Sequence, residues 1–118
     1  VEAYLFTSKP IQAALLKARK RGIEVEVILD GHEQKERKHV TARVLKAGGV
    51  DVWLDNDHAS AHNKVMIIDR RTVITGSFNF TYAAEDKNAE NLLIITSGEL
   101  AALYRDNYLK LRKHSKRY

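Results

Sequence analysis

The sequence predicts an α/β domain with a mixed, mainly parallel sheet flanked by helices. Three observations lead there. Strand-like and helix-like segments alternate from the start as strand–helix–strand–helix–strand, an order that favours parallel neighbours and right-handed crossovers. Two later apolar runs are separated only by Asp69-Arg70-Arg71, which makes a hairpin and so a mixed sheet. The chain has 118 residues and is 44% hydrophobic, enough for one compact core and too little for two, so residues 1–118 read as a single domain.

Element by element, Glu2 to Phe6 reads as a strand. Thr7 or Ser8 can cap a helix with Pro10 in its first turn. Ile11, Ala14, Leu15 and Ala18 then form one apolar stripe, and Gly22 stops the helix. Ile23 to Leu29 alternates with period two, as a strand does. A second helix is predicted over roughly Glu33 to Ala47, ended by Gly48-Gly49. Val50 to Leu54, Lys64 to Ile68, Thr72 to Thr75 and Glu90 to Thr96 read as strands. Thr96 with Glu99 fits a capping box, and Leu100, Leu103, Tyr104 and Leu111 stripe a final helix.

Composition narrows the function. There is no Cys, hence no disulfide framework, thiolate metal site or Cys nucleophile. No apolar run approaches the ~20 residues of a membrane span. The formal charge of +5 leans toward polyanionic partners. The positive side chains cluster at Lys17–Arg21 and again at Arg105, Lys110, Arg112, Lys113, Lys116 and Arg117. Part of this is helix-end chemistry, and the remainder is expected to be available to phosphates.

The segment His62 to Phe80 concentrates the chemistry. His62 and Lys64 are two apart at a strand start and project to the same side. Gly76 and Ser77 close the next strand, where a glycine lets backbone approach a ligand. Ser77 and Asn79 are again two apart. Hairpin pairing through the turn at Asp69 brings these ends together. The resulting set is one nucleophile or acid, one cation and two neutral hydrogen-bonders. It suits a phosphodiester, whose charge grows in the transition state.

These residues spell H-x-K-x4-D-x6-G-S-x-N, six fixed positions whose chance occurrence is on the order of 10⁻⁶. On them the chain resembles the phospholipase D superfamily, and within it the single-motif bacterial endonucleases. The segments TSKPIQAALLKARKRGIEVEVILD and GSFNFTYAAEDKNAENLLII and the terminal helix extend the likeness over nearly the whole chain. The resemblance implies a phospholipase D-like sandwich. It also implies a phosphodiesterase that uses no metal or cofactor and hydrolyses nucleic acid through a covalent phosphohistidine. His62 is then the nucleophile. Lys64 and Asn79 bind the non-bridging oxygens, and Ser77 with Gly76 supports that pocket. Glu90 matches the acidic residue that orients the catalytic imidazole. Asp69 is a motif member with a structural or electrostatic role. The family carries a further strand and helix at the front, so an incomplete N-terminus is expected here. Export to the periplasm or medium is the expectation for localisation.

Blander readings compete at each position. Ser77 and Asn79 also suit a simple turn, as Asp69 does. Glu90 also suits an exposed strand position. Asp55, Asp57, His58 and His62 could be taken for a metal cluster, but this stretch reads as loop and strand, and the i, i+4 histidine spacing suits a helix. His32, His39 and His114 are expected to be solvated, and Trp53 to be core. Two other functions keep the same residues: a phospholipid phosphodiesterase, and an inactive nucleic-acid-binding module. Finally, in-line displacement needs a nucleophile and an acid on opposite faces of phosphorus. One motif copy supplies one imidazole, so a homodimer with a shared site is expected.

Overall fold

A computed structural model describes all 118 residues. The elements, in chain order, begin with β1 (Glu2–Ala3), α1 (Lys9–Lys20), β2 (Glu26–Asp30), α2 (Gly31–Glu36), α3 (Val40–Ala47) and β3 (Asp51–Asp55). They continue with β4 (Lys64–Ile68), β5 (Thr72–Gly76), α4 (Tyr82–Asp86), β6 (Leu92–Thr96), α5 (Gly98–His114) and β7 (Lys116–Arg117). One seven-stranded sheet runs β6-β5-β4-β1-β2-β3-β7. The expected α/β class with a mixed sheet flanked by helices is what the chain forms. Its parallel share is smaller than predicted. Only β1–β2 and β2–β3 are parallel. β4 enters antiparallel to β1, the hairpin adds two antiparallel pairs with β6, and β7 returns antiparallel along β3.

Alternation along the strands divides the core between the two faces. Val27 and Leu29 of β2 and Val52 and Leu54 of β3 face Ala42 and Leu45 of α3, with Ile11, Leu15 and Leu16 of α1 packed against them. On the other face, Val65 and Val73 meet Ala101 of α5. Glu26, on this second face, holds α5 by accepting from Tyr108 and Arg112.

The predicted second helix is two helices. Lys38 and His39 both have positive φ, 53° and 55°, and break it. The buried Gln34 bridges the break, its Oε1 accepting from Ala42 N at 3.2 Å. That turns Val40 and Val44 outward and buries Thr41, Ala42 and Leu45 instead. His39 is half-buried against Tyr118, with ring centroids 5.4 Å apart, and so is not a solvated side chain. The caps are Ser8 for α1 and Ser97 for α5, the latter one residue beyond the expected Thr96. Leu103, placed on the apolar stripe of α5, is exposed, and Tyr108 is buried in its stead.

Candidate active site

Strands β1, β2 and β3 run parallel and end together at Ala3, Asp30 and Asp55. β4 begins at this edge, with Lys64 opposite Ala3. One step beyond the Val65–Thr75 pair, the β4–β5 ladder brings Lys64 to Gly76, which pairs in turn with Leu92. The motif residues therefore gather at the carboxyl ends of the parallel strands, the usual place for a ligand in open α/β sheets.

His62 is exposed on the loop before β4, while Lys64 is buried beneath it. The Lys64 ammonium lies 3.0 Å from His62 Nδ1 and 3.2 Å from Nε2, and donates to the His62 carbonyl at 2.8 Å. Burial pushes the Lys64 pKa down, and the Glu90 carboxylate opposes the shift. Tyr4 stands against both groups. Its ring centroid is 4.5 Å from that of His62 and 5.1 Å from the Lys64 ammonium.

Ser77 and Glu90 form a second group. The Ser77 hydroxyl donates to Glu90 Oε2, and Asn88 Nδ2 donates to Glu90 Oε1 at 3.1 Å. Asn91 N donates to Ser77 Oγ at 3.0 Å, and Ser77 N donates to the Asn91 carbonyl, also at 3.0 Å. The bond from Ser77, then that from Asn88, holds the Glu90 carboxyl below the usual range. Both oxygens of Glu90 are thus engaged away from His62. The expected carboxylate–imidazole contact is not made within one chain, because the strand pairing hands Glu90 to Ser77. Asn79 Oδ1 is buried with no hydrogen-bond partner.

Asp69 is not part of this gathering. It lies at the far end of β4, in a turn where Asp69 and Arg70 both have φ of 53° and Arg71 N donates to Ile68 O at 3.1 Å. That is the hairpin geometry that tolerates Asp. The Asp55 carboxylate is also committed locally, accepting from His58 Nδ1 at 2.8 Å and from the Asp57 and His58 amides. No group of three or more His, Asp or Glu side chains is arranged to hold a metal ion.

Sequence reasoning missed Tyr4, Asp30 and Glu33. Asp30 is almost fully buried and does two jobs. Its Oδ1 caps α2 at Glu33 N (2.8 Å), and its Oδ2 accepts from Ala61 N (2.7 Å), one residue before His62. An acid followed by Gly31 at the end of a buried strand was the available signal.

Residues 1–112 match the family described as "Cardiolipin synthase, PLD-like domain". Nuc from Salmonella typhimurium, described as a phospholipase D family member, superposes with a TM-score of 0.93 at 35% identity, covering 99% of this chain and 78% of that one. NucT from Helicobacter pylori gives 0.90 at 27% identity, covering 99% and 79%. A Rickettsia felis protein named phospholipase D is 45% identical over 109 residues, 92% of this chain but 54% of that protein. The chain thus spans about half the length of the curated relatives it matches.

Proposed function

The chain belongs to the phospholipase D-like family, and from that premise we propose that it hydrolyses phosphodiester bonds of nucleic acid as a nonspecific endonuclease working without a metal ion. The observation that carries this is the exposed His62 imidazole with the buried Lys64 ammonium held within 3.2 Å of both ring nitrogens. A ring nitrogen of His62 attacks phosphorus and forms an N–P bond as the P–O bond to the leaving alkoxide breaks. An acid on the opposite face protonates the alkoxide. Water then gives its proton to the group that acted as the acid and attacks the phosphohistidine, and the N–P bond breaks with its electron pair returning to the His62 ring nitrogen. Lys64 supplies the fixed positive charge facing the non-bridging oxygens, the role that divalent ions fill in other nucleases. Asn79 completes the phosphate pocket. Ser77, held by Glu90 and by the Asn91 backbone that Gly76 admits, shapes its rim. The active unit is a homodimer in which a second His62 serves as the acid.

The +5 charge favours a polyanionic substrate, because phosphate neutralisation gives affinity without sequence readout. The Rickettsia relative's name favours a second reading, a phospholipid phosphodiesterase. One assay divides them: plasmid DNA and phospholipid vesicles, each incubated with the chain in excess EDTA. Nicked plasmid with intact lipid is expected. Cleavage of lipid alone favours the second reading. Plasmid retained on the protein but uncleaved indicates an inactive binding module, and activity that EDTA removes and a divalent ion restores refutes the mechanism.

A further inference from the structure

We propose that Tyr4 is the positioning residue of this site: its ring is the wall that sets the pose of the His62 imidazole and holds the Lys64 ammonium, and Glu33 fixes that wall through the phenol hydroxyl. The inference rests on the reading in which His62 and Lys64 carry the reaction.

Tyr4 follows β1 directly, and its backbone N–H donates to the Asn63 carbonyl at 2.9 Å. Its position is therefore tied to the residue between His62 and Lys64. The ring meets the imidazole at 4.5 Å with a 49° tilt, a contact geometry common for aromatic pairs. Its hydroxyl donates to Glu33 Oε1 at 3.3 Å, and Glu33 Oε2 pairs with Arg37 Nε at 3.4 Å. Glu33 is in turn placed by Asp30, the same carboxylate that holds Ala61 beside His62. One buried acid thus positions both the wall and the loop that carries the nucleophile. An exposed imidazole without such a wall samples several rotamers, and orientation is a large part of what a site contributes to rate.

The ring also acts on Lys64. A cation over an aromatic face regains part of what it loses on leaving water. The charged and titratable groups facing Lys64 are His62 on its own loop, Tyr4 beyond β1 and Glu90 ahead of β6, with Glu33 reaching it through the Tyr4 hydroxyl. Lys64 must be protonated to work, and burial already lowers its pKa. Removing the ring lowers it further, so activity is lost at a lower pH as pH rises. The Tyr4 phenol itself is pushed up, chiefly by the Glu33 charge, and stays a donor.

The test compares Tyr4→Leu, Tyr4→Phe and His62→Ala on bis(p-nitrophenyl) phosphate, a small phosphodiester that favours neither nucleic acid nor lipid. Tyr4→Leu is expected to lose about tenfold or more in kcat with little change in KM. Its alkaline limb should move to lower pH, and the His62 ring-proton NMR shift should move with it. Tyr4→Phe keeps the ring but loses its Glu33 anchor, so it should keep the wild-type alkaline limb and lose only several-fold in kcat, as Glu33→Ala does. A folded Tyr4→Leu with wild-type kcat and pH profile overturns the inference, as does Tyr4→Phe damaged equally. If Tyr4→Leu fails to fold, Glu33→Ala frees the ring from outside the core. A several-fold loss of kcat is then expected, and an unchanged kcat overturns the inference. If His62→Ala retains turnover, it is the functional reading that fails. If His62→Ala is inactive and Tyr4→Leu is unaffected, only the positioning role fails.

Discussion

A Cβ added to Gly76 would sit 2.0 Å from the Asn91 carbonyl oxygen, and Gly76 has φ of 155°. The contact is with backbone, so no side-chain rotation relieves it. The same Asn91 backbone exchanges two hydrogen bonds with Ser77. Glycine at this position therefore lets β6 approach closely enough to hold Ser77 and Glu90 together. Gly76→Ala is expected to cost about 2 kcal/mol, read from urea unfolding, and to lower turnover by more than that loss explains. A variant with unchanged stability and turnover would show that the close approach is dispensable.

At the scale of elements, the alternating strands and the hairpin were legible because period and turn chemistry are local signals. Lys64 beside His62 was legible for the same reason. The break in the second helix was not, because Lys38 and His39 offer no glycine or proline to mark it, and Gln34 bridges it only in the fold. Nor was the partner of Glu90, which depends on the β5–β6 register. The basic C-terminal segment also reads differently once folded. Arg112 pairs with Glu26 at 2.9 Å and lies 5.6 Å from the Trp53 ring centroid, while Arg117 pairs with Asp51. These two cations help join α5 and β7 to the sheet, an engagement the charge pattern does not show. Arg112→Ala is expected to destabilise by about 1 kcal/mol, seen as a lower melting temperature, with little change in the salt dependence of DNA binding. A flattened salt response at unchanged stability would restore Arg112 to the phosphate-binding surface.

For the whole molecule, the question is how many chains make one site. Each chain carries one His62, and displacement at phosphorus needs a base-like attacker and an acid on opposite sides. Two-fold association brings the same residue from each chain to the axis. Refolding wild-type chain with an equal amount of His62→Ala chain should leave about one quarter of the activity per total dimer if the site is shared, and about one half if each chain works alone. The covalent step beneath this arithmetic can be observed directly. Quenching the chain during turnover of a radiolabelled phosphodiester, digesting it and mapping the label should give one acid-labile, alkali-stable phosphoryl group, still carrying its second ester substituent, on the peptide containing His62. Turnover with no protein-bound phosphoryl group, or a label on any other residue, would contradict His62 as the nucleophile.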